Sequence, residues 1–276
     1  MCSSSASLAL WASSWLAGAS SPDDVIDAMS EWAPMHLVGA GDAGAAASFG
    51  LQHPGYVEGI AGLLQAIRAT AGAEMRSAVG DDRVRLVLPA PGAVSGMPAN
   101  TDFSRAALNA GQAVIVGASG NHGIGVVPIV EGPDVLRWTV YSIVVPEHGH
   151  REQGLGEAEY EMREAVRGAA DALAQMQSLP TRTLQSDPRA RIAALIADAA
   201  RHRYPAEMSD RAFRVLESAD RVAAILTVAA GSAPSEAPTA TAAAAREELV
   251  RPLWAAVRTA RTIAVATSIE AAMHSA

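Results

Sequence analysis

Ser119, Asn121 and His122 are the residues of this chain whose types and spacing come nearest to chemistry. They lie in the stretch VIVGASGNHGIGVV, residues 114–127. A serine hydroxyl near an imidazole is the nucleophile-and-base pair of acyl transfer, with Asp102 or Asp134 available to orient the ring. The nucleophile elbow of hydrolases is missing, because Asn121 stands where Gly-x-Ser-x-Gly needs its second glycine. Asparagine and glycine tolerate positive φ, so the same string also reads as a tight turn between two strands. On that reading Ser119, Asn121 and His122 are candidate ligand contacts, and no residue is assigned a catalytic role. Glu147, His148, His150 and Glu152 form a second cluster of metal-ligand types. An extended His-x-His pair projects both rings to one side, as zinc sites use. The run equally suits a polar linker, so His148 and His150 are a subsidiary alternative and no metal is assigned.

The strand-to-glycine turn at residues 114–127 is similar to the dinucleotide turn of short-chain dehydrogenases, where glycines bring a pyrophosphate onto a helix N-terminus. Here Gly117 stands too far from Gly123 and Gly125, and Val126-Val127-Pro128 reads as strand where that mechanism needs helix. The string Ser119-Gly120-Asn121-His122-Gly123 resembles the pyridoxal-phosphate loop of threonine-dehydratase-like enzymes, which form a Schiff base on lysine. All 21 basic residues of this chain are arginine. The absence of lysine removes that chemistry, the Tyr-x-x-x-Lys of the dehydrogenases, a Walker A loop, a protein kinase and an imine-forming aldolase. The prolines of Pro89-Ala90-Pro91-Gly92 remove amide donors, which makes that turn a poor phosphate cradle. No cofactor is expected.

The elements that would position these residues follow from periodicity. Leu8, Trp11, Trp15 and Leu16 mark one face of a first helix. Ser21 caps a second, with Pro22 at its first position and Asp23 and Asp24 in its first turn. A short strand is expected at Met35 to Val38, then a small-residue loop from Gly39 to Gly55. Ile60, Leu63, Leu64 and Ile67 give a third helix, with Gly72 as its C-terminal cap. Arg83 to Leu88 and Ala113 to Val116 read as strands flanking a short helix that starts at Thr101 or Asp102 and closes at Gly111. Val126 to Val130 and Arg137 to Val145 read as an antiparallel hairpin.

Beyond Pro146 the composition shifts to helix formers. One helix is expected from Glu157 to Gln177 with Val166, Ala169, Leu173 and Met176 inward. A second follows Ser186-Asp187-Pro188, with Ile192, Leu195, Ile196 and Ala199 as its stripe and Arg201, His202 and Arg203 in its last turn. A third is capped by Ser209, with Phe213, Leu216, Ala223 and Leu226 inward. Residues 232–241 read as a connector. The last helix starts near Ala242, and Pro252 inside it is expected to kink it or mark a restart. The fold class is therefore α+β: an N-terminal mixed, partly antiparallel sheet with flanking helices, followed by a C-terminal four-helix bundle. The expected domains are residues 1–148 and 149–276.

The net charge is −8 in 276 residues. The first 150 residues carry 6 arginines against 13 acids, the rest 15 against 16. Neither half offers the cationic face that phosphate backbones require, so nucleic acid is excluded as a partner. No stretch is apolar enough for a membrane span. Cys2 is the only cysteine and no arginine precedes Arg68, which points away from export and towards the cytoplasm.

The succession RLVLPAPG, GMP, AALNAGQAVIVG, GVVPIV and RWTVYSI, followed by helices ending in VRPLWAAVRTA, resembles a family of uncharacterised actinobacterial proteins. The resemblance covers most of the chain and implies no activity, because its motifs are packing and turn motifs. The expected function is that of a soluble cytoplasmic protein without catalysis, acting through an unknown protein partner or as a homo-oligomer of its helical half. The alternative is a small-molecule-binding protein or hydrolase-like enzyme with its site at the Pro89 to Gly125 loops.

Overall fold

The computed structural model describes residues 3–74, 83–147, 153–176, 187–231 and 240–274. A long hairpin forms the centre of the sheet. Its strands β5 (His122–Glu131) and β6 (Val135–Val144) pair antiparallel from His122 opposite Val144 to Glu131 opposite Val135. The first strand thus starts four residues earlier than its apolar run suggests. The sheet is completed by β1 (Met35–Ala40), β2 (Val57–Glu58), β3 (Val84–Val87) and β4 (Ala113–Val116). Among the described residues it has six strands in the order β2-β1-β6-β5-β4-β3. β1 runs parallel to β6, and every other pair is antiparallel. The expected mixed sheet is therefore present.

Both faces of this sheet are covered, which is why β4 and the middle of β5 are continuous apolar runs. Leu136, Trp138 and Val140 of β6 point to one face and are fully buried. Helices α1 (Ser4–Leu16) and α4 (Ala61–Glu74) pack against β3, β4 and β5. Val127, Ile143 and Ile115 point to the other face, beneath Phe103 and Ala107 of α5 (Asp102–Ala110). Thr101 caps α5 as expected, through its hydroxyl to the Ser104 amide, and Gly111 ends it in a left-handed conformation.

The first helix departs from its expected amphipathic form. Ten of the thirteen residues of α1 are buried, among them Ser4, Ser5, Ser7, Ser13 and Ser14, while Trp11, Trp15 and Leu16 are only half-buried. Small side chains let this helix lie close to its neighbours on nearly every side, and the bulky indoles are left for the rim. Its N-terminal amides are met by the Ser3 hydroxyl and by the side-chain oxygen of Gln112, which accepts from the Ser5 amide at 3.1 Å. α2 (Pro22–Ser30) keeps its expected start: Ser21 and Asp24 form a reciprocal capping box. The bonds from the Ser21 backbone and hydroxyl hold the Asp24 carboxyl below its ordinary range.

The expected loop from Gly39 to Gly55 contains a helix, α3 (Ala43–Phe49), capped by Asp42. The run Ala-Gly-Ala-Ala-Ala has no apolar stripe, so only the cap signals it. Gly72 lies inside α4 rather than at its cap.

Aromatic rings settle onto glycines of the sheet. A side chain at Gly125 would meet the Phe103 ring, one at Gly41 the Tyr141 ring, and one at Gly39 the Gly55 carbonyl and the Tyr56 ring.

Beyond residue 152 lie α6 (Leu155–Met176), α7 (Pro188–Ala199), α8 (Asp210–Gly231) and α9 (Ala240–His274). α7 and α6 each contact α8. Val166 and Phe213, both expected inward, are 39% and 40% exposed, and the buried face of α8 is Ala212, Val215, Leu216, Ala219 and Ala223. Leu216, Ala223 and Leu226 of the expected stripe are buried, so only Phe213 departs from it. Asp220 of α8 binds the guanidinium of Arg261 on α9 through Nε (3.1 Å) and a terminal nitrogen (2.5 Å), with both side chains about nine-tenths buried. α9 passes through Pro252 without ending.

The chain divides into two compact units. One holds α6, α7, α8 and the stretch of α9 up to Ala264. The other holds the sheet with its helices, and also residues 202–209 and the last turns of α9 from Val265. Within this second unit, the ring seats set a clear expectation. Gly125→Ala forces a methyl into the buried Phe103 ring and should cost about 1–3 kcal/mol in urea unfolding. Adding Phe103→Leu to it should recover part of that loss.

Candidate functional site

The turn between β4 and β5 is built from four backbone hydrogen bonds. Asn121 N donates to Ala118 O (3.1 Å), closing a β-turn whose third residue, Gly120, has φ of 79°. Gly120 N donates to Val145 O and Val145 N to Asn121 O, each at 2.8 Å, tying the turn to the end of β6. Gly117 N donates to Arg83 O at 2.8 Å. The amides around residue 120 are therefore spent on reversing the chain. Gly123, which resembled a cofactor glycine, is required because a Cβ there would run into the Val116 carbonyl and the Val145 side chain.

Ser119, Asn121 and His122 are all exposed at this turn, and Glu147 lies alongside Gly120. The register separates them from one proposed helper: Asp134 sits past the far end of the β5–β6 ladder, about 30 Å along the strands from His122. The other, Asp102, is paired with Arg105 one turn along α5. His148 and His150 lie outside the described residues, and no metal-ligand cluster occurs among the described ones.

The sequence reading passed over one motif, which the structure makes plain. Gly39-Ala40-Gly41-Asp42-Ala43-Gly44 has the glycine spacing of the dinucleotide fingerprint, and it leaves a strand and enters a helix. Its glycines serve the fold instead. Gly39 and Gly41 admit the Tyr56 and Tyr141 rings, and Gly44 makes room for Asp42 and Ser142. The Asp42 carboxylate accepts from Ala45 N (2.7 Å) and Ser142 N (2.8 Å), so a negative charge already occupies the helix end where a pyrophosphate would dock. α3 is also only seven residues long.

Around this turn lies a polar cluster on the sheet. Tyr56 shares a hydrogen bond with Thr139 Oγ1 (3.1 Å), and the Arg137 guanidinium lies 4.9 Å from the Tyr56 ring centre while pairing with Glu131. Burial first, then the neighbouring Tyr56, Asp102 and Asp42, pushes the Tyr141 hydroxyl above its ordinary range.

Two histidines away from that turn have defined partners. His36 Nδ1 accepts from Trp138 Nε1 (2.9 Å), and its Nε2 donates to Met29 O (3.1 Å), which fixes one neutral tautomer. His202 and Arg203 lie beyond the end of α7 rather than in its last turn. The His202 ring stacks on Trp32 with centroids 3.6 Å apart and planes 2° from parallel. Arg203 donates to the Glu31 carboxylate from its backbone N (3.0 Å) and its Nε (2.6 Å), and Trp11 Nε1 donates to Arg203 O (3.0 Å). Partners 172 or more residues apart leave no local signature, so no spacing could reveal them.

Two partly open clefts of about 10 Å³ each lie beside Ile269, one against Leu10 and Met208 and the other against Ser13 and Arg83. Each is the size of a single water. Neither reaches the turn at residue 120.

Burial depresses the His36 pKa below its ordinary value near 6.5, outweighing the hydrogen bonds to Met29 and Ala33. Below about pH 6.5 the unfolded chain takes up a proton that the folded ring resists. The contribution of His36 is therefore full above that pH and is lost as pH falls through the depressed value. Urea midpoints of wild type should drop between pH 7.5 and pH 5, and His36→Leu should remove a measurable part of that drop.

Two family models match the chain. The model for the Rv1486c-like protein, N-terminal domain, covers residues 5–153, and that for the C-terminal domain covers residues 156–262. Uncharacterized protein Rv1486c of Mycobacterium tuberculosis is 40% identical over 293 residues, spanning 99% of this chain and 98% of the relative. Uncharacterized protein ML1804 of Mycobacterium leprae is 37% identical over 297 residues, with the same coverage of each chain. No solved structure matches.

Proposed function

The chain belongs to the Rv1486c-like protein family, and from that premise we propose that it is a soluble cytoplasmic protein without catalysis, working by association through its helical half. The observation that carries this reading is α7. It bears the apolar stripe Ile192, Leu195, Ile196 and Ala199, yet none of its residues is buried. An amphipathic helix gains its stability by burying that stripe, so a helix that leaves it half-covered suits a protein–protein contact. Val166 of α6 and Phe213 and Ile225 of α8 add exposed apolar surface to the same half. We read α6 to α9 as a four-helix bundle to which a second copy or a partner adds. The near balance of 15 arginines and 16 acids beyond residue 150 leaves little like-charge repulsion to oppose self-association.

Light scattering over a dilution series tests this. The wild-type particle should exceed one chain at the highest concentrations and fall on dilution, and Leu195→Glu should be monomeric throughout. A wild-type monomer at every concentration, with no co-purifying protein, overturns the reading.

The alternative, a small-molecule site at the Pro89 to Gly125 loops, is favoured by the exposure of Ser119, Asn121 and His122 side by side at one turn. A metabolite that raises the melting temperature of wild type and leaves Asn121→Ala and His122→Ala unmoved supports it. Indifference of the stabilisation to both changes removes it.

A further inference from the structure

We propose that the cleft of about 10 Å³ between Ser13 and Arg83 is a binding site for a monatomic halide anion, such as chloride. Ser13 is only 3% exposed, and its hydroxyl is buried with no partner among the described residues. A helical hydroxyl commonly donates to the carbonyl one turn back. Ser30, Thr70 and Thr227 do so, to Ile26 O, Ala66 O and Ala223 O. Ser13 makes no such bond, and it lines the cleft instead. The carbonyls of Ser13, Ser14 and Trp15 accept from the Ala17, Ala19 and Gly18 amides, so the negative end of α1 is largely satisfied.

The opposite wall carries the charge. Arg83, half-buried just before β3, lines the cleft, and the other lining residues, Leu16, Val84, Ile269 and Met273, are apolar. Among the described residues that line it there is no carboxylate. What enters therefore meets a hydroxyl that can donate and a guanidinium that only donates, a pair that selects an anion over a metal cation. Volume selects among anions. The space suits one water-sized sphere, which a halide nearly matches and a phosphate or carboxylate group exceeds. Chloride and bromide are also weakly hydrated, so apolar walls cost them less than they would cost a small oxyanion. All six lining residues belong to the sheet unit, from the last turn of α1, the start of β3 and the last turns of α9. An ion held there ties three distant stretches of sequence together and makes this unit respond to halide concentration. The site does not depend on the association proposed above.

The test unfolds the full chain by heat in sodium chloride and, separately, in sodium gluconate at the same ionic strength, gluconate being too large for the cleft. Tryptophan emission is the readout, because Trp11, Trp15, Trp32 and Trp138 lie in the sheet unit. Replacing gluconate by chloride should raise the melting temperature saturably, by about 2–4 °C. Bromide should act as chloride does. In Ser13→Ala that increment should fall by half or more, and in Arg83→Gln it should vanish. Each variant is compared with itself in the two salts, so a change in its basal stability does not enter. If Arg83→Gln does not fold, Ser13→Ala decides the matter. Equal melting temperatures of wild type in the two salts mean that water fills the cleft, and overturn the proposal. An increment that Ser13→Ala keeps in full overturns it as well.

Discussion

The close approach of aromatic rings to sheet backbone is the constraint on which the sheet unit depends. Phe103, Tyr141 and Tyr56 each lie where a glycine leaves the surface bare, at Gly125, Gly41 and Gly39. Glycine weakens a strand by itself, because it adds backbone entropy to the unfolded chain and no side chain to pack. Here the loss is offset by aromatic area that could not otherwise reach the sheet. The same glycines determine what the turn after β1 can do. Having admitted two tyrosines and a capping aspartate, it has no room or charge left for a nucleotide.

A second economy of size governs the opposite face. α1 is a helix of serines and alanines held almost wholly inside. Its small side chains trade hydrophobic area for proximity, and the hydroxyls of Ser5, Ser7 and Ser13 end up buried with no partner among the described residues. Such groups cost free energy that apolar packing nearby must exceed. The indoles of Trp11 and Trp15 at the rim then become handles: one donates to the Arg203 carbonyl, and the other lies beneath the Arg68 guanidinium.

Local grammar was legible in the sequence wherever one segment carries its own explanation. Ser21 with Pro22 and Asp24 announces α2, Thr101 and Gly111 bracket α5, and Glu131-Gly132-Pro133-Asp134 joins the hairpin. The turn at Gly117 to His122 was legible for the same reason, since glycine and asparagine state their φ preference locally. Features set by distant neighbours were not. The face that α1 buries depends on being surrounded, α3 on a single aspartate, and the buried charge of Asp220 on finding Arg261 forty-one residues away. The His36 partnership with Trp138 spans 102 residues and joins two types that periodicity treats as ordinary core.

The unit that contains the sheet is assembled from three separate stretches of sequence, since residues 202–209 and the last turns of α9 belong to it. Translation therefore delivers its components out of step. When the ribosome has finished β6, Trp11, Glu31 and Trp32 still lack the segment that later lies across them, and the clefts beside Ile269 do not yet exist. Domains generally close as they emerge. This one has to wait, half-assembled, while the helices from α6 to α9 are made.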